Sequence, residues 1–260
     1  MTNKKKKNGF VAVLDSGVGG LSVLPGLTAE LPGEDFVYFG DAANAPYGER
    51  TADEVREIVS KSVGRMIDEG AKAVVLACNT ATSAAAAYLR EKYRDVPIIG
   101  MEPALKPAAE AKEHPRVLVM ATPLTIREDK LRELTERLRD EAEFDLIPCH
   151  GLVELVEAGT VEGNEVRELI ERILAPHLPG ADSIVLGCTH YAHVRETIRS
   201  VAGEDVAIFD GAAGTARETK RRLGAAGLLK RGGNGSVTLT DSSGDPGYKE
   251  ICEFLLSRLK

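Results

Sequence analysis

Val75-Leu76-Ala77-Cys78-Asn79-Thr80 and Val185-Leu186-Gly187-Cys188-Thr189-His190 are near-copies of one pattern, an apolar run ending in a thiol and polar residues, 110 residues apart. Short apolar runs of this kind read as strands buried on both faces, as in parallel sheets. A second echo lies upstream of each. Val11-Ala12-Val13-Leu14-Asp15-Ser16 resembles Val117-Leu118-Val119-Met120-Ala121-Thr122, at a spacing of 106. The two spacings are close enough to mark a doubled unit.

Working outward, strands are expected at 10–14, 36–39, 73–77, 98–100, 116–120, 145–148, 183–187 and 206–209, with a late one at 237–240 after a turn at 231–235. Amphipathic stretches at 51–69, 125–141, 164–174 and 213–223 alternate with them as helices. A last helix, about 246–259, puts Tyr248, Ile251, Cys252, Leu255 and Leu259 on one face, which makes Cys252 a core residue. Alternating strands and helices argue for parallel βα units. The expected fold is therefore α/β, with two pseudo-symmetric α/β domains of mainly parallel sheets and a cleft between them. Because a strand resumes at 206, the first domain is expected to be discontinuous, 1–97 plus 206–260, with 98–205 forming the second. Ligands in open α/β sheets bind at the C-terminal ends of strands, so facing halves would bring two thiols across one cleft.

The chain has 260 residues and a formal net charge of -7, which argues against a broad basic footprint for nucleic acid. Its one strongly basic run, Lys4 to Lys7, reads as a solvated tail. The apolar stretch after it is too short for a signal peptide and ends in Asp15. No stretch approaches the length of a membrane span, so a soluble, cytoplasmic protein is expected. Cysteines at 78, 149, 188 and 252 are too few and too scattered for a disulfide framework.

The glycines of Asp15-Ser16-Gly17-Val18-Gly19-Gly20-Leu21 invite a dinucleotide reading, but G-x-G-x-x-G needs a glycine where Ser22 stands. A strand–turn–helix fits better, with Asp15 orienting a neighbour, Ser16 offering a hydroxyl and free amides suited to a carboxylate. Gly40-Asp41 and Pro46-Tyr47-Gly48 read alone as turns. Cys78 and Cys188 each follow a strand and precede a helix, a setting expected to draw a thiol from about 8.5 towards neutrality, where it can exchange protons. One strand-end cysteine is as well explained as a small buried hydrophobe; two at matched places favour chemistry. His190 lies two residues from Cys188, and Asp15 ends a strand expected beside Cys78. Glu157, in Leu152-Val153-Glu154-Leu155-Val156-Glu157, reads on its own residues as a solvated helix face.

Three other readings compete. A cysteine hydrolase with Cys188 or Cys78 as nucleophile and His190 as base leaves the second thiol idle. A zinc site from Cys188, His190 and His193, with Cys78 as a further ligand, has a compact, non-standard spacing. A binding protein without turnover would have no need of both thiols.

At these residues a family resemblance is plain. Asp15-Ser16-Gly17-Val18-Gly19-Gly20-Leu21, Pro46-Tyr47-Gly48, Cys78-Asn79-Thr80-Ala81 and Gly187-Cys188-Thr189-His190-Tyr191 resemble the four signature blocks of glutamate racemases. Weaker similarity, including Thr122 with Thr125, Leu152–Gly159 and Asp210–Glu218, runs from Phe10 to the last helix. The resemblance implies cofactor-independent racemisation of glutamate, with no metal and no pyridoxal group, in the service of bacterial peptidoglycan synthesis. It implies that Cys78 deprotonates D-glutamate with help from Asp15, and Cys188 L-glutamate with help from His190 and Glu157. Asp15, Ser16, Pro46, Tyr47, Gly48, Asn79, Thr80, Thr122, Thr189 and His190 would hold the substrate. Glutamate is the implied partner, with no nucleic acid or membrane, and a homodimer is left open. The chain departs from the family's usual residues at Asn44, at Met101-Glu102-Pro103 and at Ala192-His193, none of which replaces a thiol.

Overall fold

The computed structural model describes residues 8–230 and 232–259; the basic run at Lys4–Lys7 lies outside them. Among the described residues the strands are β1 (Val11–Asp15), β2 (Phe36–Gly40), β3 (Ala73–Leu76), β4 (Ile98–Gly100), β5 (Arg116–Ala121), β6 (Glu143–Pro148), β7 (Ser183–Leu186), β8 (Ala207–Asp210) and β9 (Val237–Asp241). They form two sheets, ordered β4-β3-β1-β2-β9 and β6-β5-β7-β8, and every pairing is parallel. All residues of β1, β3 and β7 are buried, as are all but the first of β5, because helices cover both faces of these central strands. The edge strand β9 is mostly exposed.

Reversed, the second sheet reads β8-β7-β5-β6, the same order as β4-β3-β1-β2. The doubling seen in the sequence is therefore a doubling of a four-stranded unit. This moves both expected domain boundaries. The strand at 98–100 pairs with β3 in the first sheet, and the strand at 207–210 pairs with β7 in the second. Each is the fourth strand of its own copy, so sheet membership changes after Gly100 and after Asp210 rather than at 97 and 205. The two connections run side by side: a methyl group on Gly211 would sit 2.3 Å from the Glu102 carbonyl oxygen. The helix Ala212–Ala225 and the C-terminal helix Pro246–Ser257 then pack back on the first half.

The expected helix at 51–69 is present as Ala52–Asp68. Thr51 caps it by accepting from Glu54 N at 3.3 Å, while Glu54 Oε2 accepts from Thr51 N at 2.9 Å. The continuous helix expected at 125–141 is instead two pieces, Pro123–Arg127 and Asp129–Arg137, separated by Glu128 in an extended conformation (φ -70, ψ 136). Leu124 and Leu131, seven residues apart, would share a stripe in one helix; the break instead lets Leu124 pack in the core cluster of the first half and Leu131 in that of the second. Cys252 is buried in the core as its helix face implied. Among the described residues no helix is long and apolar enough to cross a membrane.

At the other end of the first sheet, Lys72 and Glu34 form a buried ion pair, Nζ to Oε2 at 2.5 Å. Lys72 Nζ also donates to Leu228 O at 3.0 Å, and Glu34 Oε1 accepts from Lys230 N at 2.7 Å. The pair thus fastens the returning chain beneath β2 and β3. Removing one charge strands the other in the interior. Lys72→Met is expected to lower the unfolding free energy by roughly 3–5 kcal/mol, read as a reduced urea midpoint.

Candidate active site

The C-terminal ends of β1, β3, β5 and β7 converge. Cys78 follows β3 and caps the helix Asn79–Lys92, its Sγ accepting from Ala81 N at 3.4 Å. Its thiol reaches Ser16 Oγ at 3.8 Å. Cys188 follows β7, but the turn after it, Thr189–Val194, is a 3-10 helix rather than the α-helix expected; the α-helix starts only at Arg195. The residue types explain the delay. His190 and Tyr191 both turn inward and are buried, so the turn is shaped by their packing.

Cys78 and Cys188 are 5 % and 8 % exposed. Burial pushes the Cys78 thiol well up, Asp15 adds to the rise, and the Ala81 amide opposes both without cancelling them. The lowering expected from a helix N-terminus is thus overturned at Cys78, because desolvation outweighs one amide. His190 differs. Burial alone would lower it, but the hydrogen bond and charge of Cys188, followed by those of Glu157, hold the imidazole well above its ordinary value. Glu157 moves the other way: burial would raise it, yet the His190 contacts and the Val18 amide bring it below the usual carboxylate range. His190 Nε2 meets Glu157 Oε1 at 2.5 Å, and its Nδ1 lies 3.6 Å from Cys188 Sγ. Glu157, which reads as a solvated residue in the sequence, therefore points inward from the end of its short helix, Leu152–Glu157.

Contacts between the halves surround both thiols. Asp15 is fully buried; its Oδ2 accepts from Gly17 N at 3.2 Å and its Oδ1 from Thr189 Oγ1 at 3.3 Å. Burial raises its carboxyl above the ordinary value, with His190 pulling down and Glu157 pushing up. Thr80, Thr122 and Thr125 form a triangle of hydroxyls with sides of 3.1, 3.0 and 3.0 Å. Gly48 fits against Thr122, where a methyl group would come within 2.8 Å of its Cβ. Tyr47 donates to Asp41 Oδ2 at 2.6 Å, and Asn44 and Ser242 bind the same carboxylate. Pro46 introduces this turn. Asn79 is buried, with neither side-chain polar atom hydrogen-bonded.

Thr125, Asp41 and Tyr38 were not singled out for the site by the sequence reading. Asp41 carries a usable signal, being a polar residue just past a strand end; Tyr38 reads only as an inward strand residue. His193, weighed above as a zinc ligand, instead directs Nε2 at Gly19 O, 3.2 Å away, and burial followed by the charge of His190 pushes its value down to about 4. A cavity of about 720 Å³ contains neither thiol and lies beside the paired connections, with Glu102 and Gly211 in its lining. A smaller one of about 140 Å³ opens on Cys188 and Thr189.

The family model for Asp/Glu/hydantoin racemase matches residues 21–219. The chain is 49% identical over 218 residues to a glutamate racemase of Clostridium perfringens (strain SM101 / Type A), covering 84% of each chain. The crystal structure of glutamate racemase isoform RacE1 from Bacillus anthracis superposes with a TM-score of 0.86 at 31% identity, over 96% of this chain and 95% of that one. The Escherichia coli glutamate racemase in complex with L-glutamate and activator UDP-MurNAc-Ala gives 0.84 at 30%, with the same coverage.

The turn glycines carry a test of this geometry. A methyl group on Gly17 would lie 1.7 Å from Glu157 Oε1. Gly17→Ala is therefore expected to push Glu157 off His190 without deleting any ionisable group. Because Glu157 helps to raise the His190 value, His190 should titrate at lower pH in the variant, as read by ¹⁵N NMR of the ring. An unchanged titration would mean that the carboxylate does not hold the imidazole.

Proposed function

The chain belongs to the Asp/Glu/hydantoin racemase family, and we propose that within it the protein interconverts L- and D-glutamate, with Cys78 and Cys188 as the two acid/base groups. The observation that carries this reading is the pair of buried thiols at matched strand ends, each beside a different charge. Burial, and after it the charge of Asp15, favour the neutral thiol at Cys78. The imidazolium of His190, held by Glu157, is a partner for a thiolate at Cys188. Receiving L-glutamate requires a thiolate at Cys188 opposite a thiol at Cys78. Cys188 takes the α-proton from one face while Cys78 delivers a proton to the other, giving D-glutamate with the two roles exchanged. The reverse reaction begins from that exchanged state.

An amino-acid α-proton is very weakly acidic, so the charge that develops on the carboxylate needs preorganised donors. Asn79 is suited to this, since its buried amide has hydrogen-bonding capacity to spare. Ser16, Thr80, Thr122 and Thr189 add hydroxyls, and Pro46, Tyr47 and Gly48 close the wall against Thr122. Burial strengthens these interactions and makes the thiolate a stronger base than it would be in water. No cofactor takes part in this reading. D-glutamate made in the cytoplasm would supply peptidoglycan synthesis. A hydrolase reading would use one thiol only and gives the other no task.

The enantiomers have equal free energies, so any variant must slow both directions to the same kcat/KM. Racemisation rates alone cannot tell which thiol serves which face. Cys78→Ala and Cys188→Ala are each expected to reduce racemisation by at least about 10²- to 10⁴-fold, the worth of a positioned acid or base. Elimination from a glutamate analogue with a β-leaving group needs only one base. Cys78→Ser should therefore retain elimination from the L-analogue, and Cys188→Ser from the D-analogue. Equal loss for both enantiomers would reject the assignment of faces, and full racemase activity in either alanine variant would remove that cysteine from the mechanism.

A further inference from the structure

Tyr38 lies on β2, in the core of the first half, and is fully buried. Its hydroxyl donates to the carbonyl oxygen of Gly17 at 2.5 Å. That carbonyl and the N–H of Val18 belong to one planar amide. The Val18 N–H donates to Glu157 Oε1 at 2.9 Å, and the same oxygen meets His190 Nε2 at 2.5 Å. The far nitrogen of the ring faces Cys188 Sγ at 3.6 Å. A continuous series of hydrogen bonds thus runs from a tyrosine of the first half to a thiol of the second. Gly17 is pinned on its other side too, where its own N–H donates to Asp15 Oδ2.

Resting on the reading of Glu157, His190 and Cys188 as a proton-transfer arm, we infer that Tyr38 is a positioning residue for that arm, acting through the Gly17–Val18 peptide. A donor on the carbonyl oxygen polarises the amide and makes its N–H a better donor. The Val18 amide then holds Glu157 both in place and in its ionised form, and Glu157 in turn holds the charged ring towards Cys188. Burial, followed by the charge of Asp15, keeps the Tyr38 phenol well above its ordinary value, so it remains a donor at working pH. Asp15 from β1, His193 from the turn after Cys188, and Tyr248 and Cys252 from the C-terminal helix also act on Glu157 and His190 or are acted on by Glu157. All of them survive in Tyr38→Phe, which deletes one hydroxyl and keeps the ring.

The test reads the arm directly as well as turnover. In Tyr38→Phe, kcat is expected to fall about 3- to 10-fold in both directions, the worth of one hydrogen bond, while KM moves less. In ¹H NMR of the resting enzyme, the proton between His190 and Glu157 should resonate far downfield and move further downfield in the variant, because Val18 and His190 donate to the same carboxylate oxygen and a weaker Val18 donor leaves it more basic towards the ring. Placing 3-fluorotyrosine at position 38 restores a hydroxyl that is a stronger donor, and should return the resonance to its original position or upfield of it. If Tyr38→Phe does not fold, the fluorinated protein carries the test alone, with an upfield displacement expected. A resonance unmoved by either change, or a loss confined to KM, would overturn the proposal. The resonance needs no substrate, so this outcome is separate from any failure of the racemase reading, which would show as absent turnover in the unaltered protein.

Discussion

With only hydrogen on its α-carbon, Gly17 leaves room for a carboxylate oxygen from the opposite half of the molecule. Glu157 fills that room, and its position depends on it. From there it accepts from the Val18 amide and meets His190, which faces Cys188. Gly19 performs the same service for the ring itself, since a methyl group there would lie 2.3 Å from His190 Nδ1. The glycines that imitate a nucleotide-binding turn are thus explained by close approach between two protein surfaces. A phosphate has no part in their selection. If this turn carried side chains, the two halves would stand apart and the charges that distinguish the thiols would be lost.

Symmetry places the thiols, and its breaking assigns their work. The repeat aligns Asp15 with Ala121 and His190 with Thr80, so the anion stands in one copy and the cation in the other. Each charge sits where its counterpart has a neutral residue. The outcome is a pair of similar groups in opposed electrostatic settings. Equal settings would leave both thiols in the same protonation state, and such a pair cannot take a proton and give one in the same event.

The parts of this arrangement that follow from local pattern were legible in the sequence. The strands have the expected positions because buried apolar runs leave little choice, and Cys78 and Cys188 stand out through their repetition. Three features were hidden for physical reasons. Glu157 lies on a single short turn of helix, too brief for periodicity to say which way it points. The ionisation of Cys78 depends on burial and on Asp15, both tertiary, and these outweigh the helix terminus that the sequence reveals. Tyr38 looks like any inward strand residue, because nothing local shows where its hydroxyl ends. The fourth strand of each unit was found but placed in the wrong half, since an edge strand of three or four residues carries no mark of its neighbour.

Among the described residues the chain passes between the halves at two places, and these touch at Glu102 and Gly211. Mechanically, two stiff plates joined by adjacent straps have one easy degree of freedom, rotation about the line through the straps. Sliding or twisting would stretch one strap against the other. Displacement in such a rotation grows in proportion to distance from the axis, so small torsional changes at the straps become larger separations at the far rim. The ties between Asp15 and Thr189, and among the threonine hydroxyls, act as a latch against that swing. These ties lie close to the straps, since Met101 and Asp210 line one small cavity with Thr189, and Met101 and Pro103 another with Thr125, so they stiffen the hinge itself.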